Sequence, residues 1–374
     1  MKILIISHTY IAAENRKNIL ALGCHAQVKV LLPKEWTDTV FPNLKFEVNE
    51  SDDDYFNPRR VFYLSQSQYF FVNAVSYLRK FRPDVTIVEY NPWSLMFVQA
   101  LLARTLFHKR TKMVCLVKKN TFVRSSSASG ILKYRIAQMT ARRVDIFIAA
   151  SEMARQLLSS TFLVDDSRIR VVHHMGVDTS IFRPPEVYTN NGVVSIGYAG
   201  RLDSDKGVED LVAAVADYVI PNSPNVKLKL LGRGRLSPLL REMAENWPWL
   251  EVHLPVPHAQ VARFLRGLDI FVMPSRILPD HQEHDGHAVM EAMACGLATI
   301  GTRSGIITEL LSGGAGYIVS PHVPEELGSA LNTLIADADL RKNVALRGLE
   351  KARREFSLEH IAARKIEILN GLAT

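Results

Sequence analysis

The chain reads as an α/β protein built of two doubly wound domains, and three observations predict this. Short apolar runs alternate with amphipathic helical stretches, the signature of βαβ units and a parallel sheet. The alternation breaks once, at Arg183–Gly192 (RPPEVYTNNG), where prolines, asparagines and lost periodicity mark a linker, and then restarts. At 374 residues the chain also exceeds one ordinary core.

The first domain is predicted to span 1–185. It opens on an apolar strand, Ile3–Ser7, followed by a helix over Glu14–Leu22 that Gly23 stops. Val28–Leu32 is the next strand, and residues 49–60 (NESDDDYFNPRR) read as a polar loop. Gln66–Lys80 has the pattern of an amphipathic helix and Val85–Glu89 that of a strand. Trp93–Thr105 follows as a helix opened by Pro92. Lys112–Val117 and Asp145–Ala150 are strands on either side of a helix at Gly130–Arg142.

The second domain, 186–356, repeats the scheme. Strands are predicted at Val193–Tyr198, Val226–Leu231, Glu251–Leu254, Ile270–Met273 and Tyr317–Val319. Helices are predicted at Val208–Tyr218, Pro238–Glu245, Gln260–Leu268, 324–336 and 338–355. A break at Phe356–Ser357 precedes a last helix, about 357–372. In a doubly wound pair the ligand is expected in the cleft between the domains.

Bulk properties narrow the class. Apolar content of 47% with 22% charged residues is that of a soluble globular protein. Cys24, Cys115 and Cys295 lie far apart with no CxxC spacing, so they read as buried apolar thiols, not as a disulfide framework or a zinc site. The start, MKILIISHTY, turns polar too soon for a signal peptide, and no window reaches the apolar length of a membrane span. The protein is therefore expected to be cytoplasmic. Residues 1–185 carry 26 Lys and Arg against 15 Asp and Glu, while the remainder carries 19 against 23. So basic a first domain implies an anionic partner surface.

Three stretches carry chemistry. In Glu283–Glu309 (EHDGHAVMEAMACGLATIGTRSGIITE) one carboxylate, Glu283, precedes a helix N-terminus and another, Glu291, lies inside the helix. Helix N-termini hold anions and carboxylates accept sugar hydroxyls, so this pattern suits a ligand that is part phosphate and part sugar. In Gly197–Gly207 (GYAGRLDSDKG) a strand runs into a glycine-rich turn with Arg201 and Lys206, a pyrophosphate-binding pattern that a solvated loop would match equally well. Leu231–Arg235 (LGRGR) gives a GxG turn after a strand, weak by itself because tight turns need glycine anyway.

Taken in order, GVD at 176–178, GRLxxxKG, GxG, the Glu-x7-Glu pair of EHDGHAVME and the TxxGxxxE turn resemble the retaining glycosyltransferases of family 4. The resemblance covers about residues 173–320. It implies a GT-B fold of two Rossmann-like domains facing a cleft, the C-terminal helix crossing back to the first. It implies that Arg201 and Lys206 hold the donor diphosphate and stabilise the leaving group, that Glu283 holds the donor sugar's hydroxyls and that Glu291 binds the ribose. Gly200, Gly232, Asp285, Gly286, His287 and Ala288 would complete the donor site, and Glu309 matches the acidic residue of the downstream turn. No metal or other cofactor is implied, the nucleotide sugar being a substrate, and the donor phosphate would take the acceptor's proton in a front-face attack.

There are departures. The family's Gly-Gly turn after the first strand is Ser7-His8-Thr9-Tyr10 here, and its histidine after the fourth strand falls on Lys118-Lys119-Asn120. His8, Lys119 and Asn120 are accordingly the acceptor-side candidates. The expected partners are a nucleotide-sugar donor and a polysaccharide, lipopolysaccharide or lipid-linked acceptor. The basic stretch Arg104–Arg143, which includes Lys109, Arg110, Lys112 and Arg124, is poor in aromatics. It fits an anionic inner membrane face better than nucleic acid. Two rival readings are a GT-B nucleotide-sugar 2-epimerase, which would need catalytic carboxylates in a first domain where none stands out, and a non-catalytic sugar-nucleotide-binding module.

Overall fold

The computed structural model describes residues 1–37, 45–47, 55–65, 68–72, 74–122, 127–186, 192–279 and 281–373. Arg124, the acidic part of the 49–60 stretch and residues 187–191 of the expected linker lie outside the described residues. Contacts divide the chain into two compact units, Met1–Gly176 with Leu358–Thr374, and Val177–Ser357.

The first unit holds a parallel sheet of β1 (Lys2–Ile6), β2 (Gln27–Pro33), β3 (Phe56–Arg59), β4 (Val85–Val88), β5 (Lys112–Val117), β6 (Ile146–Ala149) and β7 (Ile169–Val171). Its order is β7-β6-β5-β4-β1-β2-β3, so the chain winds outward from β1 to β3 and then returns to the other side of β1. Strands β4 and β6 are buried at every residue, as strands covered on both faces must be. Successive residues of β1 point to opposite faces. Leu4 and Ile6 enter one core with Phe97, Phe147 and Leu158, while Ile3 and Ile5 enter another with Ile19, Ile361 and Leu369. The last helix, Leu358–Ala373, thus helps to build the second of these cores.

Serine caps set three helix starts of this unit. Ser94, Ser127 and Ser151 accept hydrogen bonds from the amides of Phe97, Gly130 and Ala154, opening Leu95–Phe107, Ala128–Ala141 and Glu152–Phe162. The helix Glu152–Phe162 and strand β7 were not expected.

Four expectations are corrected. Gln66–Lys80 is not one helix: Val61–Ser65 and Gln68–Phe71 pair as an antiparallel hairpin, and the helix is Ala74–Phe81. Aromatic and β-branched residues in VFYLS and QYFF favour the pleated surface over the helix. Within the supposed polar loop, Phe56–Arg59 is a strand, because Phe56 is buried against β2. Cys24 is exposed, unlike Cys115 and Cys295. The first crossing between units falls at Gly176–Val177, ahead of residue 185, because Phe182 is buried in the second core and Val177 bridges Ser357.

The second unit holds a parallel sheet of β8 (Val194–Arg201), β9 (Val226–Arg233), β10 (Leu250–His253), β11 (Ile270–Met273), β12 (Ala298–Thr302) and β13 (Tyr317–Val319), in the order β10-β9-β8-β11-β12-β13. The strand order reverses between β8 and β11. In open α/β sheets the crevice beyond the carboxyl ends of the strands at this point is where ligands bind.

Candidate functional site

In the second unit the loops after β8, β9, β11 and β12 meet at that reversal. Two glycines let β8 and β9 close on each other. Gly200 and Gly232 are register partners, and a Cβ on Gly232 would stand 1.8 Å from the carbonyl oxygen of Gly200. Beyond them Asp203, almost fully buried, ties the two loops by accepting from the Arg235 amide at 2.8 Å. The β8 loop then turns through Gly207, whose left-handed backbone (φ 67°) lies so close to Pro274 that a Cβ would fall 1.9 Å from its carbonyl oxygen.

This turn delivers Lys206 to Glu283. The Lys206 ammonium donates to Glu283 Oε2 at 2.7 Å, and the same oxygen accepts from Ser275 Oγ at 2.8 Å. Glu283 is buried. Burial alone would raise its carboxyl pKa, but Lys206 and the Ser275 hydroxyl outweigh burial and hold it below the usual carboxylate range. Its backbone is pinned as well. Ser304 Oγ accepts from the Glu283 amide at 3.3 Å, and the Ile306 amide donates to the Glu283 carbonyl at 3.1 Å. The turn after β12 thus shapes the loop that carries Glu283. Glu309, one helical turn further on, lies in the short helix Ile307–Leu310 and gives its carbonyl to Lys351.

Arg201 is clamped by two acids. One guanidinium nitrogen donates to Asp203 at 2.5 Å and the other to Asp205. Burial works against its charge, but the two aspartates raise its pKa above the ordinary value. Both expected phosphate-binding cations therefore stand preformed, each paired with carboxylate. A dianionic ligand would exchange those partners for its own oxygens. Burial and the Lys206 charge push His281, beside this cluster, to a lower pKa.

Gly286, in the left-handed region at φ 60°, caps the helix His287–Ala294. Leu310 and Ile306 pack where its side chain would be. The amides of His287 and Ala288 open that helix, and Asp285 precedes the cap. Glu291 lies one turn in, on a helix otherwise buried through Val289, Met290, Ala292 and Met293. His258 shares a 2.7 Å hydrogen bond with Glu291 Oε1. All ten donor-side residues expected from sequence, Arg201, Lys206, Glu283, Gly200, Gly232, Asp285, Gly286, His287, Ala288 and Glu291, thus lie on the carboxyl ends of strands, on the loops that follow or in one following helix, at one end of one sheet. His258, Ser275, Ser304 and Asp203 were missed: His258, Ser304 and Asp203 bond Glu291, Glu283 and the Arg235 amide 33, 21 and 32 residues away, and Ser275 reaches Glu283 across a loop.

The first unit carries the other three candidates. His8 Nδ1 shares a 2.7 Å hydrogen bond with Tyr90 Oη, and its ring stacks on Trp36 with centroids 4.5 Å apart. Lys119 is half-buried and Asn120 buried just past β5. The expectation that no carboxylate stands out here is corrected by Glu89, fully buried at the end of β4. It accepts from Tyr10 Oη at 2.8 Å and bonds His174 Nε2 at 3.1 Å, while Lys365 donates to the His174 carbonyl at 2.7 Å. Burial works against the Glu89 charge, but His174, Lys365 and Tyr10 together bring its pKa down to about 2. Lys365 carried a readable signal: it occupies the apolar stripe of its helix, between Ile361, Ala362 and Leu369.

Residues 185–351 match the family of glycosyl transferases group 1, and residues 36–181 match glycosyltransferase family 4. Among curated relatives, the α-maltose-1-phosphate synthase of Mycolicibacterium smegmatis is 28% identical over 253 residues, 60% of this chain and 62% of that protein. A D-inositol 3-phosphate glycosyltransferase of Nocardioides is 26% identical over 250 residues, 60% of this chain and 53% of its own. The chain thus spans about half to three fifths of the length of these relatives. Among solved structures, Anabaena HepE in complex with UDP superposes with a TM-score of 0.75 at 18% identity, over 99% of this chain and 100% of that one. The sucrose-phosphate synthase of Thermosynechococcus elongatus gives 0.72 at 18%, over 100% and 99%. Those likenesses show the GT-B fold class, and with both family matches in hand the chain belongs to the group 1 glycosyltransferases of family 4.

Proposed function

We propose that the protein is a retaining glycosyltransferase that moves a hexosyl unit from a UDP- or GDP-sugar to a polysaccharide, lipopolysaccharide or lipid-linked acceptor, without a metal. The observation that carries this reading is the Lys206–Glu283 pair, with Arg201 at the end of β8 and Glu291 in the helix His287–Ala294, at the strand-order reversal of one sheet. Arg201 and Lys206 would take the diphosphate, helped by the helix start at His287 and Ala288, and would offset the negative charge that grows as the bond from C1 to the phosphate oxygen breaks. Glu283 would hold sugar hydroxyls and Glu291 the ribose. The acceptor oxygen would bond C1 on the face the diphosphate leaves, and the departing phosphate oxygen would take its proton. HepE, a structural neighbour, is known with UDP and with UDP-glucose, which supports a nucleotide-sugar donor here.

The acceptor is assigned to His8, Lys119 and Asn120 of the first unit. An anionic membrane face is the proposed setting. Between Glu89 and Asp145 the sequence has eleven Lys and Arg and no acidic residue. Two helices of that stretch expose Leu102, Leu106, Ile131, Leu132 and Met139 beside Arg135, Arg142 and Arg143. Cations attract the lipid headgroups and apolar side chains enter the boundary beneath them. Among the described residues no helix is long and apolar enough to cross a membrane.

Glu89 argues against the 2-epimerase. A base must titrate near the working pH, whereas Glu89 is held down to about 2 inside a closed network. A binding module would need no preformed Lys206–Glu283 pair. Incubation with a donor panel separates the three readings. A transferase releases nucleoside diphosphate and keeps the anomeric configuration in its product, an epimerase returns an isomerised sugar nucleotide, and a module leaves every donor intact.

A further inference from the structure

We propose that His258 is a positioning residue for Glu291 and sets the preference of the site for ribose over 2′-deoxyribose. The inference rests on reading Glu291 as the carboxylate that meets the ribose. Apart from His287 the other side chains of the Glu291 helix are apolar, and among the described residues no hydrogen bond from that helix reaches the Glu291 carboxylate. The orientation comes from another element. His258 opens the helix His258–Leu265, and its Nε2 lies 2.7 Å from Glu291 Oε1. The imidazole is itself held from behind by the ring of Phe182, fully buried, at a centroid distance of 5.2 Å. Among the described residues this is the one hydrogen bond that fixes the Glu291 carboxylate, and Oε2 takes no donor.

A carboxylate tied at one oxygen keeps a defined plane and presents the other oxygen to an incoming hydroxyl. Untied, a glutamate with three side-chain torsions would have to be ordered by the ligand itself, at a cost in rotamer entropy. His258 therefore contributes only where a hydroxyl reaches Glu291. It adds less to a 2′-deoxynucleotide, which offers only its 3′-hydroxyl. The ratio of affinities for ribo- and 2′-deoxyribonucleotide isolates this contribution from the diphosphate contacts, which both ligands share. A merely structural role for His258 would weaken the two ligands alike.

The test is calorimetric titration of the full chain with UDP, GDP and their 2′-deoxy counterparts. The wild type is expected to favour whichever ribonucleotide it binds by roughly ten- to a hundredfold over its deoxy form, the worth of one hydroxyl bonded to a charged group. Glu291→Gln should remove most of that preference. His258→Ala should remove at least about half of it on a logarithmic scale while changing the deoxynucleotide affinity less than the ribonucleotide affinity, and His258→Gln, which restores an N–H donor, should recover part of it. If His258→Ala keeps the full ratio while Glu291→Gln loses it, the role of His258 is overturned and Glu291 keeps its own. A parallel loss for ribo- and deoxynucleotide in His258→Ala overturns the proposal too. Should Glu291→Gln keep the ratio, or the wild type bind none of the four, the reading of the donor site fails and this inference falls with it.

Discussion

Lys206 and Glu283 sit on loops 77 residues apart and meet through a 2.7 Å charge-assisted hydrogen bond beneath the reversal point of the second sheet. The bond holds two groups that are proposed to serve different parts of one donor. Glu283→Gln keeps the shape and removes the charge. The Lys206 ammonium is then no longer neutralised, so free nucleoside diphosphate should bind at least as tightly as to the wild type. Sugar transfer should nevertheless fall by roughly 10²-fold or more, because the hydroxyl-binding carboxylate is gone. Titration of the product nucleotide together with initial rates checks both directions. Equal losses in binding and rate would contradict the division of roles.

Backbone geometry makes a separate prediction. Gly207 is left-handed and has no room for a methyl group beside the Pro274 carbonyl. Gly207→Ala should cost on the order of 3 kcal/mol, from strain and overpacking together, and should displace Lys206 with it. Thermal unfolding measures the cost. A melting point within a degree of the wild type would show that the turn relaxes without penalty.

Glu89, in the first unit, contributes to the acid limb of stability. Glu89 titrates near 2 when folded against about 4.5 as a free carboxyl. Its folded pKa is the lower one, so it adds stability above about pH 4.5 and loses that contribution as the pH falls toward 2. Glu89→Gln should lower stability at neutral pH by about 3 kcal/mol, since it breaks a buried network on one side. It should also flatten the decline between pH 4.5 and 2. Urea midpoints across that range test the sign, and an unchanged acid slope would rule out Glu89 as its source.

Membrane contact is testable on the same unit. Wild-type protein should float with vesicles containing phosphatidylglycerol and stay behind with neutral ones, more weakly as salt rises. Leu106→Asp with Leu132→Asp should abolish flotation without altering thermal stability much, both side chains being exposed. Flotation that ignores both lipid charge and these substitutions would remove the membrane from the account.

Most of the second unit was legible in the sequence because its local signals agree. Gly207, Gly286 and Gly296 punctuate the passages between strands and helices around the site, and Arg201, Lys206, Glu283 and Glu291 lie within a few residues of Gly207 or Gly286. What was not legible is how charges pair across loops. That Asp203 ties its loop to the Arg235 amide, or that His258 reaches Glu291, depends on contacts no spacing encodes. The first unit was read less well for a related reason. The aromatic run Gln68–Phe71 has the composition of a strand but borders a helical pattern, and tertiary pairing decided between them. Glu89 looked like the polar end of a strand until the fold brought His174 and Lys365 against it.

The central claim is that Lys206 stabilises a departing nucleoside diphosphate. Nucleoside diphosphate release should be measured with a panel of UDP- and GDP-sugars for the wild type and Lys206→Ala, both verified as folded by their melting points. At least one donor should be consumed by the wild type, and release by Lys206→Ala should fall by roughly 10³-fold. Unchanged turnover in a folded Lys206→Ala protein would contradict the account.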